Sequence, residues 1–462
     1  MSLKGRLSRL GPGPPLAAEE RRAPGAPGTP DGSLAPHDAT SEPEGSDGAL
    51  AAPVPAGPAG PPPVVPHEVA LDELRERMAR ILGRSAPVRT ERPPVDWGEL
   101  PFERLETDSG PVHLRTMRCP ITHRVGRVEV EPARAASPEL LALLALDPAL
   151  RDVDVRRVLF LDTETTGLGG AGTCAFLVGL AWFEDEGRLC LEQLMLGSPA
   201  EEIALLEFVR ARVERAALIV SFNGKSFDWP LLEGRLVMNG LPPLPRRPHF
   251  DLLHVARRLH KARLGGVRLI RLESEVLGFD RGEDDIPGAE IAPLYGHFLR
   301  TGRAELLRAV MDHNAWDVIS MAALLGLYGE PLALQHPRDL LGAAETARRA
   351  GEFERAREYA DASHERGGGA EAQLARARIE KARGDRARAL VEFELLSREV
   401  DDPAVRLELC KLYEHHEHAF RSALELLEQG LAEEPEQVEK RRARLQAKER
   451  KRSLIPGGRR RR

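Results

Sequence analysis

Cysteine is scarce in this 462-residue chain: four thiols, Cys119, Cys174, Cys190 and Cys410, with no C-x-x-C pair among them. That pattern excludes a disulfide scaffold and a zinc ribbon and fits a reducing compartment. Lysine is also rare, 8 residues against 58 arginines. Such a bias is typical of G+C-rich bacterial coding sequence and makes any single Arg weak evidence of a site. Neither charge sign dominates, since 66 basic and 72 acidic residues leave a net charge of −6. A global polycation is thereby excluded, and contact with nucleic acid must come from local patches. No apolar run reaches membrane-spanning length, and Met1 to Arg22 lacks the apolar centre of a secretory signal. The expectation is a cytoplasmic protein with no membrane partner.

Proline, glycine and alanine, in contrast, crowd residues 1–66 (APGAPGTPDG, APVPAGPAGPPPVVP). This composition buries too little apolar surface to offset its ordering entropy, so the segment is read as disordered. Residues 67–150 hold an amphipathic helix at 68–82 and short alternating stretches between 91 and 132, read as a small β element leading into the core. A helix capped by Ser137-Pro138 follows. His113, Cys119 and His123 match no zinc spacing and are read as structural. Residues 151–330 mix strands, expected at 156–162, 174–183, 188–196 and 217–222, with helices at 199–214, 227–238, 251–260, 268–277 and 304–328. That order describes an α/β domain with a mixed sheet covered by helices.

From 335 to 438 the chain repeats. Leu341, Leu374 and Leu407 lie 33 apart, as do Gly351 and Gly384, each followed five residues on by Ala; Ala423 continues the series. Helix pairs with this period have the tetratricopeptide signature, without its early large aromatic, so the region is expected to be an all-α tetratricopeptide-like domain. Residues 439–462 form a basic tail with a single acid, Glu449, after Lys440. It is read as a solvated end, with phosphate contact as the alternative.

Two motifs that suggest nucleotide binding fail on context. Gly167-x-Gly169-x-x-Gly172 is preceded by DTETT rather than by the strand itself, and is followed by an alternating strand-like stretch instead of a helix. Gly224-Lys225-Ser226 lacks the phosphate-loop glycine five residues upstream, where Ile219 stands.

The carboxylates are more informative. VLFLDTET (158–165) is an apolar strand that delivers Asp162 and Glu164 to the same side of its own end. Paired carboxylates of this kind suit a hard divalent cation such as Mg²⁺; a strand-end turn rich in acids and threonines is the rival reading. Asp228 follows a second buried strand, at the start of a helix, where taken alone it reads as a cap. In VMDHNAWDVIS, His313 and Asp317 are four apart on a helix and share a face. The motifs carry no Lys or Arg close to the acids, so the acids are expected to repel one another without metal.

D-x-E-T-T-G, F-N-G-x-x-F-D and H-N-x-x-D, in that order, resemble the three exonuclease motifs of the DEDD (DnaQ-like) superfamily of 3′–5′ exonucleases. GGAGTCAFLVG, FDLLHVARRL, LESEVLG and DDIPGAEIAPLYGHFL further resemble its YprB-like bacterial branch. The resemblance implies a ribonuclease H-like fold and a two-metal-ion mechanism. In it, Asp162, Glu164, Asp228 and Asp317 hold two Mg²⁺ or Mn²⁺ ions and His313 acts as general base. Thr165, Thr166, Asn223 and Lys225 become candidate substrate contacts, and a single-stranded DNA or RNA 3′ end the substrate. His313 departs from the family: it stands four residues before the last Asp, the spacing of the Tyr-type branch, so it either takes the proton or only orients water. Arg268 and Arg271 are candidate phosphate contacts. Other readings are a non-catalytic scaffold, binding a protein partner through the repeats, or the same chemistry acting on RNA or internally.

Overall fold

The computed structural model describes residues 97–453 except 99, 168, 169, 171, 186, 283 and 284. The tail expected at 1–66, the helix expected at 68–82 and residues 454–462 of the basic tail lie outside the described residues.

A seven-stranded sheet organises residues up to 330. Its strands are β1 (Glu103–Thr107), β2 (Gly110–Pro120), β5 (Val158–Thr165), β6 (Ala175–Glu184), β7 (Arg188–Met195), β8 (Leu218–Ser221) and β9 (His249–Asp251). Strands β3 (Arg124–Val125) and β4 (Val128–Glu129) pair only with each other. The order across the large sheet is β1-β2-β7-β6-β5-β8-β9. Strand β5 pairs antiparallel with β6 and parallel with β8, which gives a mixed sheet. Of the strands read between 91 and 132, β1 and β2 extend this sheet at the β7 edge, where Leu114 faces Leu194 and Met117 faces Leu191, whereas β3 and β4 stay apart from it. Alternation reveals a strand but not its neighbour, and that neighbour is supplied by tertiary pairing.

Strand β5 is apolar on both faces because helices cover both. Leu159 and Leu161 pack in a cluster with residues of α2 (Glu202–Arg215) and α3 (Asp228–Met238), while Val158 and Phe160 join residues of α6 (Leu307–Gly329). Burying Phe160, with 0% exposure, is worth roughly 1.5–3 kcal/mol. Helix α6 is buried nearly all round, since the sheet lies on one side and the turn Glu131–Ala135 on the other; hence it lacks a polar stripe. Further helices of this part are α1 (Pro138–Ala145), α4 (Leu252–Leu259), followed by a single turn at Lys261–Leu264, and α5 (Gly288–Thr301). The helix expected at 268–277 is a short turn at Leu269–Leu272 followed by a wider one at Glu273–Leu277.

The remaining chain is helical: α7 (Pro337–Ala350), α8 (Phe353–Ser363), α9 (Gly369–Arg383), α10 (Arg386–Glu399), α11 (Pro403–Leu412), α12 (Phe420–Glu428) and α13 (Pro435–Ser453). Helices α7 with α8, α9 with α10 and α11 with α12 pack as successive pairs. Ala356, Ala389 and Ala423, the small residues of the period, all have 0% exposure inside these pairs. Helix α7 docks on α4, where Asp339 takes a bidentate ion pair from Arg263 at 2.9 and 2.7 Å. Up to Ser453 the basic tail is a helix that packs through Arg441 and Leu445 and leaves most of its other residues to solvent. Arg441, Arg444 and Lys448 converge on the buried Glu414 at 2.9, 2.6 and 2.9 Å.

Candidate active site

Asp162 and Glu164 lie on the β5 face that carries Phe160, and therefore look onto α6. Helix α6 presents His313, Asn314 and Asp317 within little more than one turn. Donor atoms of Glu164, His313 and Asp317 all lie within 4.8 Å of one another. Asp228 and Asp162 stand outside that group but close enough to act on it electrostatically. Burial, then Asp317 and Asp228, hold the Asp162 carboxyl well above the usual range. Burial and the Asp162, Asp317 and Asp228 charges do the same to Glu164. Burial pushes Asp228 up to about 6. Asp228 is the first residue of α3 and not its cap; its carboxylate accepts a hydrogen bond from the Thr163 hydroxyl.

Asp162 is oriented from behind. Asn314 donates to its Oδ2 at 2.8 Å, Gln193 donates to Asn314 Oδ1 at 2.9 Å, and Arg115 donates to Gln193 Oε1 at 2.8 Å. This buried chain runs from β2 through β7 and α6 to the end of β5. Gly179, directly opposite Asp162 on β6, makes room for it: a Cβ there would stand 2.3 Å from Asn314 Oδ1.

One cation corrects the expectation that the acids stand without one. Arg281, only 7% exposed, donates to Asp317 and makes a bidentate pair with the buried Glu273 at 2.6 and 2.6 Å. Burial alone would lower its pKa, but the Asp317 and Glu273 charges outweigh that and raise it. Arg281 and Asp285 come from the loop before α5, which has no periodicity for sequence reading to find. Asn314 was visible only as the second letter of H-N-x-x-D, and Gln193 and Arg115 only as polar residues inside apolar strands. Asp251 was passed over as well; it accepts the backbone N–H groups of Asn223 at 2.9 Å and Lys225 at 3.2 Å, and so holds the loop before Asp228.

The candidate substrate contacts separate. Thr165 lines a cavity of about 390 Å³ beside Asp228, together with Thr163, Phe227, Leu231 and Met238; its hydroxyl donates to Gly167 O at 2.8 Å. Thr166 faces Cys174, whose N–H it accepts at 3.1 Å. Asn223 turns the chain at φ +69°. The Lys225 ammonium lies 3.9 Å from Asp147. Neither Thr166, Asn223 nor Lys225 lines that cavity. Arg268 and Arg271 are exposed.

The donor set, two carboxylates and an imidazole with the Asp162 and Asp228 carboxylates alongside, is oxygen-rich and fits a hard divalent cation. The RNase_H_2 family model, of the RNase_H superfamily, matches residues 159–328, from β5 to the end of α6. The Uncharacterized protein YprB of Bacillus subtilis (strain 168) is 32% identical over 365 residues, covering 72% of this chain and 86% of that protein. Among solved structures, a family B DNA polymerase from the hyperthermophilic archaeon Pyrobaculum calidifontis aligns with 42% of this chain at 17% identity and a TM-score of 0.30. The alignment spans 29% of the polymerase, and so slight a likeness carries no argument. Among the described residues no helix is long and apolar enough to cross a membrane.

Proposed function

Because the chain belongs to the YprB family within the RNase_H superfamily, we propose that it is a metal-dependent 3′–5′ exonuclease that hydrolyses phosphodiester bonds at single-stranded 3′ ends. The observation that carries this reading is the Glu164, His313 and Asp317 cluster within 4.8 Å, flanked by two more acids with raised pKa values. Asp162, Glu164, Asp228 and Asp317 would hold the metal. Bound there, two divalent cations, Mg²⁺ or Mn²⁺, would stabilise charge on the attacking and leaving oxygens of an in-line displacement. The protein supplies the rest. Asn314 occupies one oxygen of Asp162 and leaves the other lone pairs to face the cluster. His313, with 17% of its side chain exposed, is open enough to accept a proton from water. Arg281 compensates part of the acid charge when no cation is bound. The cavity beside Asp228, apolar around Phe227, Leu231 and Met238, offers a surface on which a terminal base can rest. The helical pairs after 335 are a platform for a protein partner.

The test is hydrolysis of 3′- and 5′-labelled single-stranded DNA and RNA with Mg²⁺, Mn²⁺ or EDTA, comparing wild type with Asp162→Ala. Shortening from the 3′ end that requires metal, and that falls on the order of 10³-fold in the variant, is expected. The preferred sugar would separate DNA from RNA substrates, and internal cuts would replace the exonuclease reading with an endonuclease. No difference between wild type and variant on any substrate would sink catalysis and favour a scaffold.

A further inference from the structure

The spacing of His313 leaves open whether its ring aims a basic nitrogen at the site or only fills space there. The answer depends on which ring nitrogen carries the proton, because a neutral imidazole donates at one and accepts at the other. Nε2 lies on the cluster side, 3.6 Å from Asp317 Oδ2. Nδ1 points away, to Asp285 Oδ1 at 2.7 Å. We infer that Asp285 is a positioning residue that holds the His313 proton on Nδ1 and leaves the Nε2 lone pair facing the carboxylate cluster. The inference rests on the nuclease reading for its purpose, but not for its geometry.

Two neighbours compete for the same ring, and distance decides between them. Arg281 Nη1 lies 3.4 Å from Nδ1. A guanidinium can only donate, so a strong bond there would require the opposite tautomer, with the proton on Nε2. A carboxylate at 2.7 Å makes a short, charge-assisted bond, whereas 3.4 Å is beyond the usual length for such a contact. Arg281 also has better acceptors in Glu273, at 2.6 and 2.6 Å, and in Asp317. On the other side, a proton on Nε2 would gain little from Asp317, because 3.6 Å is too long for a hydrogen bond. Both comparisons favour Nδ1–H.

Asp285 is itself held in place. Its Oδ1 accepts the N–H of Ile286 at 3.0 Å, and its Oδ2 lies 3.6 Å from Arg281 Nη1. Its side chain is 11% exposed. The arrangement is the orienter–imidazole pairing that fixes a proton acceptor by hydrogen-bonding its far nitrogen. It accounts for a histidine acting from this spacing: one helical turn sets the position of the ring, and the loop before α5 sets its proton.

The experiment reads the ring directly. Metal-free protein labelled with ¹⁵N-histidine is examined by long-range ¹H–¹⁵N correlation at pH 8, with His313 assigned by its loss in His313→Gln. Wild type is expected to show a protonated Nδ1 and an unprotonated Nε2, and Asp285→Ala to move the majority to Nε2–H. Asp285→Asn, whose side-chain carbonyl still accepts, keeps the wild-type tautomer and serves if the alanine variant does not fold. In the nuclease assay Asp285→Ala should lower kcat on the order of 100-fold while KM and Mg²⁺ affinity by calorimetry stay within about twofold, and Asp285→Asn should lower it less. An Nε2–H ring in wild type, or an unchanged ring in Asp285→Ala, would overturn the inference. A wild type that hydrolyses nothing while its ring shows the expected tautomer would overturn the nuclease reading alone.

Discussion

Two regions of this molecule bury charge, and they do so in opposite ways. At the end of β5 the acids outnumber their partners: Asp162, Glu164 and Asp228 are all held above their usual range, with Arg281 paired to Asp317, Glu273 and Asp285 instead. In the helical region the cations outnumber the acid. Arg441, Arg444 and Lys448 surround Glu414, which is fully buried. Burial there would raise the carboxyl, but the hydrogen bonds from Arg444 and Lys448 win and bring it down to about 2. Acids crowded together in this way fit the proposed site for something positive. An acid surrounded by donors holds two elements together, here α13 and the turn after α11.

The comparison would break most plainly under neutral, isosteric substitution of one acid in each region. Glu414→Gln leaves three cations without their common anion. Arg441 keeps Glu433, and the half-exposed Arg444 and Lys448 can turn to water, so the helices around it should lose about 1–2 kcal/mol, read as faster native-state hydrogen exchange in α11 to α13. Asp162→Asn keeps an oxygen to accept from Asn314 but removes one of the repelling charges. Without metal it should stabilise the β5 end by about 1–2 kcal/mol, while under the proposed function it should abolish hydrolysis. Equal signs for the two variants would show that the two regions are not opposites.

A smaller effect, of predictable sign, comes from pH. Asp228 binds its proton more tightly folded than unfolded, with a folded value of about 6. Its favourable contribution is therefore complete below its unfolded value near 4 and is lost as pH rises through about 6. Between pH 5 and 7.5 the metal-free β5 region should lose about 1.4 kcal/mol. Glu414 behaves in reverse: its stabilisation is present above its ordinary value and disappears only as pH falls toward about 2, so the helical region should not change over that window. Region-resolved exchange at the two pH values checks both halves, and saturating Mg²⁺ should flatten the nuclease slope because the ion takes the place of the proton.

What was legible in the sequence follows the same divide between periodic and non-periodic structure. Asp162 with Glu164, and His313 with Asp317, could be paired from the chain alone because a strand repeats every two residues and a helix turn brings i and i+4 together. The period of 33 was legible because each helix pair reuses one small buried residue, Ala356, Ala389 and then Ala423. Strand β9 has three residues, too few for alternation to show, and α5 was missed with Pro293 and Gly296 inside it. Arg281 was illegible for a different reason, and Asp285, though it stands in DDIPGAEIAPLYGHFL, had no role there. Their loop has no repeat, and their meaning comes from Asp317 and His313, which are 36 and 28 residues away in the chain. Lys225 and Thr166 show the reverse failure: both lie in motifs, yet their side chains are turned to Asp147 and Cys174.

Glycines give the mildest form of the comparison. Gly179 has an ordinary backbone, but its missing side chain lets Asn314 reach Asp162; a Cβ would stand 2.3 Å from Asn314 Oδ1 and 2.9 Å from Val318. Gly179→Ala should therefore push α6 off the sheet, cost about 2 kcal/mol and lower activity, since the displaced amide is the one that orients Asp162. Gly351, which ends α7, has open space around it and φ +80°. Gly351→Ala meets no atom and suffers only the left-handed backbone, worth about 1 kcal/mol, with no change in hydrolysis. Melting curves and turnover measured on the two variants separate crowding from conformation. If Gly351→Ala also reduced turnover, the helical region would be coupled to the site through α7 and α4, and the division between a site that holds charge apart and a platform that holds it together would have to be abandoned.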